Sequence, residues 1–271
     1  MNILLATYSL EHLAGTETWT VTMADHLGKE HNVDVYAFTG IDNLIPANAD
    51  KSKHYDIAII NHNVCLDALR SWNIDRRIFT SHGVIPEMER PVPGADVYAA
   101  VSEEVQAVVE QQGFNAVIIR NPIDTEYFTP APVNQELKNI LWMNNRAPNM
   151  EMVEPASDGY EYRIQTGWSG GVRENIKWAD MVVTSGRGAY EAMSCGRNVC
   201  IVNWCGCDGI VNHESIIELR KCNCSGRRYQ QWWPPERIRE EFERYDPNLN
   251  MQPYILENND VQKIAEQYLN V

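Results

Sequence analysis

Residues 179–203 read Ala179-Asp-Met-Val-Val-Thr-Ser-Gly-Arg-Gly-Ala-Tyr-Glu-Ala-Met-Ser-Cys-Gly-Arg-Asn-Val-Cys-Ile-Val-Asn203. Met181 to Val183 is a short apolar run of strand-forming residues, closed by the tight loop Ser185-Gly-Arg-Gly188. The spacing predicts a helix that starts near Ala189 and stops at Gly196, then a second apolar strand from Val199 to Val202. Strand, glycine loop, helix and strand in that order form the repeating unit of a parallel sheet covered by helices. A glycine loop at the carboxyl end of a parallel strand, opening a helix, leaves backbone N–H groups where phosphate oxygens can sit. Glu191 is expected in the first turn of that helix, beside the same loop.

The same alternation runs through the rest of the chain. Asn2 to Ala6 reads as the first strand and Glu17 to Lys29 as a helix, with Val21, Ala24 and Leu27 at helical spacing. Val33 to Phe38, Ile57 to Ile60, Arg77 to Thr80, Val97 to Val101 and Ala116 to Ile119 are further strands. Leu66 to Trp72 and Glu103 to Gln112 are helices, the second capped by Ser102. Asn121-Pro-Ile-Asp-Thr-Glu-Tyr-Phe-Thr-Pro-Ala-Pro132 then punctuates the chain with prolines. A second strand series follows at Ile140 to Met143, Tyr162 to Gln165, Met181 to Val183 and Val199 to Val202. Helices from Glu236 to Tyr245 and from Val261 to Leu269 close it. The expected fold is α/β, with two doubly wound Rossmann-like domains. The first covers residues 1–121, a hinge linker 122–132, and the second 133–271.

The 185–203 segment resembles the nucleotide-sugar-binding core of GT-B glycosyltransferases, and most of all the retaining family 4, whose pattern there runs S…G…EAMA-G-PV. The proline-rich stretch resembles that family's N-G-I/V-D-x-x-x-F-x-P hinge, with Pro122 where glycine is usual. The resemblance implies a GT-B fold, with two Rossmann-like domains facing a cleft and the carboxyl-terminal one shortened between Trp142 and Tyr160. In such proteins the last helix often crosses back onto the first domain.

The resemblance also implies roles for particular residues. Leu13-Ala-Gly-Thr-Glu17 matches the family's GG-x-E region, so Gly15 and Thr16 would lie near the donor phosphates and Glu17 on the acceptor side. The plain reading of these five residues is a strand-to-helix turn capped by Thr16. In Thr80-Ser-His-Gly83, His82 matches a histidine that faces the donor sugar. His62, in Asn61-His62-Asn63, would line the acceptor pocket; polar loop filling is its ordinary reading. Arg146 matches the arginine of V-G-R, whose forked guanidinium suits phosphate oxygens. The lysine that usually follows is missing, since the chain runs Ala147-Pro-Asn-Met-Glu151. Arg187 is the expected substitute and Arg120 a third candidate. Ser185, Gly186, Arg187, Gly188 and Glu191 would bind the donor, with Glu191 on the ribose hydroxyls. The family's first glutamate, eight positions earlier, is Val183 here. Catalysis would rest on charge stabilisation by Arg146, Arg187 and loop amides, with His82 positioning the sugar.

Composition limits the partners. Lys and Arg number 23 and Asp and Glu 37, a net charge of −14, which disfavours non-specific attraction to nucleic acid or anionic membrane. Seven cysteines and an amino-terminal run without a basic leader point to a reducing cytoplasm. Cys205-Gly-Cys207 and Cys222-Asn-Cys224 supply four thiolates that suit zinc in number, but one-residue spacing strains a tetrahedral site. No cofactor or metal is otherwise expected; the nucleoside diphosphate sugar is a substrate. Arg220 to Trp233 is the one basic, aromatic-rich stretch, suited to a nucleic acid or a carbohydrate acceptor, or to a local structural role. The function expected is transfer of a sugar from a nucleoside diphosphate to a hydroxyl, with retention and without metal. The acceptor would be a glycan or a small molecule. If the chain is viral, a hydroxymethylated DNA base fits instead. The alternatives are a non-catalytic nucleotide-sugar-binding protein and a nucleotide-sugar epimerase of the same fold.

Overall fold

A computed structural model describes residues 1–12, 14–146, 148–166 and 170–271. The chain forms two compact units, Met1–Pro122 with Val261–Val271, and Ile123–Asp260.

The first unit comprises β1 (Asn2–Thr7), α1 (Gly15–Leu27), β2 (Asn32–Ala37), β3 (Tyr55–Ile60), α2 (Asn63–Ala68), β4 (Ile74–Ser81), β5 (Val97–Ala100), α3 (Glu103–Gln111) and β6 (Ala116–Ile118). Its strands form a six-stranded sheet in the order β2-β1-β3-β4-β5-β6, with every pairing parallel. Near-continuous apolar strands such as β1 and β3 are what a sheet buried on both faces requires. Ile3, Leu5, Ile57, Ile59 and Ile78 fill one face, with Trp19 and Met23 of α1. Leu4, Ala6, Ala58, Ile60 and Phe79 fill the other.

The second unit comprises β7 (Asn139–Asn144), α4 (Met150–Ala156), β8 (Glu161–Thr166), α5 (Val172–Trp178), β9 (Met181–Thr184), α6 (Arg187–Ser194), β10 (Asn198–Asn203), β11 (Gly206–Ile210), α7 (Ile216–Leu219), α8 (Pro235–Phe242) and α9 (Gln252–Asn258). Its sheet runs β11-β10-β9-β7-β8. All pairings are parallel except β10 with β11. The last helix, α10 (Val261–Asn270), belongs to the first unit. Val261, Ile264, Ala265 and Tyr268 of α10 share the core of Trp19 and Ile59, and Tyr268 Oη accepts a 3.1 Å hydrogen bond from Thr80. This is the two-domain α/β fold expected from the sequence.

Several local expectations change. α6 begins at Arg187, two residues early, so Glu191 lies in its second turn rather than its first. α1 begins at Gly15, and no side chain caps it, so Thr16 is not the cap. α2 ends at Ala68, short of the expected Trp72. Ser102 does cap α3, accepting from the Val105 N–H at 3.3 Å. Among the described residues, no helix is long and apolar enough to cross a membrane.

Candidate functional site

In both sheets the chain leaves a central strand, pairs one neighbour to one side, and then crosses to the other side. Such a switch point opens a crevice beyond the carboxyl ends of the strands, where ligands of doubly wound sheets bind. In the second unit it lies between β7 and β9. Asn144 ends β7 and Ser185 follows β9, and the Ser185 hydroxyl donates to Asn144 Oδ1 at 3.3 Å. Asn203, at the end of β10, donates to Ser185 Oγ at 2.7 Å. One serine thus ties three strand ends together.

Gly186 holds φ +61 and ψ −136, a conformation that a side chain would strain, and its Cβ position opens into free space. Two residues on, a Cβ on Gly188 would stand 2.7 Å from Thr184 Oγ1 and 2.8 Å from Met143 Cε. Glycine there lets the first turn of α6 press against β9 and β7. The loop therefore brings bare backbone and a helix amino terminus to the switch point, the geometry that binds phosphate. Arg187 turns back along α6, and its Nε donates to Glu191 Oε1 at 2.8 Å. Both side chains are about nine-tenths buried, at 10% and 9% exposure. Burial pushes the Glu191 carboxyl up, against the pull of Arg187. Arg146 is exposed and lies over the Trp204 ring, 4.9 Å from its centroid.

In the first unit the switch point lies between β1 and β3. His62 follows β3, and its Nδ1 accepts the Tyr8 N–H beyond β1 at 2.9 Å. Its burial pushes the imidazole down to about 4, so it is neutral at pH 7, with Nδ1 the acceptor. His62 is thus a buried fastener between two strand ends. His82 follows β4, and its Nε2 lies 2.9 Å from Asn61 Oδ1. Asn61 donates through Nδ2 to Thr20 on α1, so its oxygen accepts and His82 carries the proton on Nε2. The Trp19 ring meets the His82 ring edge-on, 5.5 Å between centroids.

Gly15 is exposed at the start of α1, and Thr16 Oγ1 donates to Glu17 Oε2 at 3.1 Å. Leu13, from the same motif, lies outside the described residues. Sequence reading missed Glu89, in the 3-10 turn Glu87–Glu89. A Cβ on Gly83 would come within 2.9 Å of Glu89 Oε2, so this carboxyl lies over the glycine next to His82. Burial and the Glu17 charge raise Glu89 to about 7; burial also raises Glu17. Nothing in the Pro-Glu-Met-Glu sequence signals this; the Gly83 contact depends on how the short loop after β4 folds back, and the Glu17 charge comes from far along the chain.

Other candidates are engaged elsewhere. Arg120 pairs with Glu103 at 2.7 Å. The four loop cysteines do not converge. Cys207 packs into the core on one sheet face, with Ile140 and Phe242, and Cys224 into the core with Leu141 and Val199. Among the described residues, only His54, Asp56 and Asp75 bring three potential metal-ligand atoms within 4.8 Å of one another. Two cations of the basic stretch share one carboxylate, Lys221 pairing with Glu218 at 2.6 Å and Arg228 with the same group, while Arg220 donates to the Tyr254 hydroxyl at 3.2 Å.

No protein-family model matches the chain, and no curated protein does. Solved structures do. The chain is similar to Anabaena Alr3699/HepE in complex with UDP, at 13% identity and a TM-score of 0.58, over 100% of this chain and 99% of that one. It is also similar to an alpha-glucosyltransferase in complex with UDP and a 13-mer DNA containing an HMU base. There the identity is 12% and the TM-score 0.63, over 100% of this chain and 98% of that one. The same enzyme with UDP-glucose and DNA containing an abasic site gives 12% and 0.57, over 100% and 98%. These likenesses span the whole chain and give it the GT-B fold.

Proposed function

We propose that this chain is a glycosyltransferase that moves a sugar from a nucleoside diphosphate to a hydroxyl acceptor. The observation that carries the proposal is the Gly186–Gly188 cradle at the β7/β9 switch point, where backbone amides and the α6 amino terminus suit a diphosphate. UDP in structures of the same fold supports the choice of ligand.

In this reading the diphosphate sits on the 185–188 loop, and Glu191, held by Arg187, accepts from the ribose hydroxyls. Arg146 leaves the Trp204 face to neutralise the departing phosphate. In the first unit, His82, Glu17, Gly15 and Thr16 are the candidate sugar- and acceptor-binding residues. His62 holds the β1 and β3 ends in register. Retention and metal independence complete the proposal: the leaving diphosphate takes the acceptor proton, so no protein nucleophile is required. A glycan or small-molecule hydroxyl is the favoured acceptor over DNA, because the chain carries a net charge of −14.

Incubation with a panel of nucleoside diphosphate sugars and hydroxyl acceptors tests the proposal. The expected product keeps the donor's anomeric configuration by NMR and still forms in EDTA. Binding of a donor with neither transfer nor hydrolysis would instead leave a nucleotide-sugar-binding protein.

A further inference from the structure

Beside the glycine loop stands a pair of exposed tryptophans that the proposed chemistry does not use. Trp204 is 56% exposed and Trp232 68%. Large apolar rings left in water cost free energy, and a rigid pair of them marks a contact surface. Trp204 is fastened to the candidate donor loop in two steps: its N–H donates to Asn203 Oδ1 at 2.7 Å, and Asn203 Nδ2 donates to Ser185 Oγ. Trp232 joins it by donating from Nε1 to the Trp204 carbonyl at 3.3 Å.

The platform under these rings is stiff. A Cβ on Gly206 would overlap the Gly226 carbonyl oxygen, and one on Gly226 the Gly206 oxygen, so two backbones touch where only glycines fit. Cys207 N–H donates to the Gln231 carbonyl at 2.7 Å. The Asp208 carboxylate accepts from the Arg228 and Tyr229 N–H groups at 3.2 and 3.0 Å. These bonds lock the 224–233 segment onto the β10–β11 hairpin.

The chemistry of the surface selects its ligand. Lys221 and Arg228, in the same stretch as Trp232, share the one carboxylate of Glu218. Arg146 lies over the Trp204 ring, 4.9 Å from its centroid, and a ligand stacking on that face would displace it. An exposed indole face matches a pyranose, whose apolar face stacks on it while its girdle of hydroxyls stays in water. Trp204 follows β10, one strand over from the β9 loop, on the side away from β7 and β8.

We infer that Trp204 and Trp232 form a stacking subsite for a pyranose ring beside the donor loop. The ring comes either from the donor sugar or from a saccharide acceptor; the donor case rests on the proposed function, and the saccharide case does not. The test is calorimetric titration of wild type, Trp204→Ala, Trp232→Ala and Trp204→Phe with UDP, UDP-glucose, GDP-mannose, maltohexaose and a 13-mer oligo-dT. Both tryptophans are exposed, so the alanine variants should fold, and near-UV circular dichroism checks this.

The expected result is at least a tenfold loss of affinity for a sugar-bearing ligand in Trp204→Ala, with UDP changed less than twofold and Trp204→Phe retaining most of the affinity. A loss confined to the nucleotide sugars assigns the ring to the donor, and one confined to maltohexaose assigns it to the acceptor. Unchanged sugar affinities, no sugar-bearing ligand bound by wild type, or an equal loss of UDP and UDP-glucose would overturn the inference. So would a loss seen only with oligo-dT, which would make the surface a base-stacking one. Maltohexaose binding that depends on Trp204, in a protein indifferent to every nucleotide, would sink the donor reading while the stacking subsite stands.

Discussion

Gly188 has room for a hydrogen and little more, because Thr184 Oγ1 and Met143 Cε would lie within 2.8 Å of a Cβ. Gly188→Ala is expected to lift α6 from the sheet, lowering stability by about 1–3 kcal/mol by urea unfolding, and to weaken nucleotide binding by the same shift. Arg197 shows how a buried charge can serve the backbone. At 2% exposure, it donates to the carbonyls of Cys195, Ala179 and Pro132 at 3.0, 2.9 and 3.0 Å, and also bonds Ala131. Arg197→Met would leave several carbonyls without their donor, and a loss of at least about 2 kcal/mol is expected in the same unfolding experiment. The need for glycine at 186 and 188 was legible, because a tight strand-to-helix loop calls for a positive φ or a close approach that only glycine allows. The partner of Arg187 was not: an i to i+4 pair with Glu191 appears only once the helix start moves to Arg187. Glu89 could not be found at all, since Gly83 is brought to it by the loop after β4 and Glu17 from distant α1.

The elements read best where burial on both sheet faces enforces apolar runs. Every strand expected from such a run is present from β1 to β10, with ends within three residues of expectation, the largest difference at the start of β4. β11 escaped because Gly206-Cys-Asp-Gly-Ile210 looks like a loop; its pairing depends on contact with Gly226, far along the chain. α4 escaped because it is short and holds Pro155. At the β1, β3 and β4 ends, two groups give opposite pH responses. Glu89 keeps its proton in the folded chain after the unfolded chain has lost it, so its contribution falls as pH rises from the ordinary glutamate range through about 7. His62 does the reverse. As pH falls the unfolded chain takes its proton first, so stability rises with pH from about 4 to the ordinary histidine range. The two windows overlap and partly cancel in wild type. Glu89→Gln should therefore gain in urea midpoint over wild type at about pH 8 but not at about pH 4.5, where both side chains are neutral. An equal difference at the two pH values would remove the buried-carboxyl account.

For the whole molecule, the two-unit α/β plan was legible from alternation and from the proline-rich stretch alone. The chain leaves the first unit at Pro122 and returns at Val261, and Ile123 pairs with Asp260 where the two passages run side by side. Amphipathic spacing in α10 gave its existence; its place under Trp19 follows from shape. Tyr268 is fully buried there, and Tyr268→Ala is expected to cost about 3–5 kcal/mol. Hydrogen exchange should show that loss in strands β1 to β6, with β7 to β10 little changed; uniform loss across both units would contradict the independence of their cores. The proposed function depends above all on the 185–191 loop and helix as a nucleotide site. The most direct test is calorimetric titration of wild type and Glu191→Gln, which keeps an oxygen for Arg187, with UDP-, GDP-, ADP- and TDP-sugars. Tight binding of one nucleotide, weakened at least tenfold (about 1.4 kcal/mol) in the variant, is the predicted result. Binding of none of the four, or binding indifferent to Glu191, would contradict it.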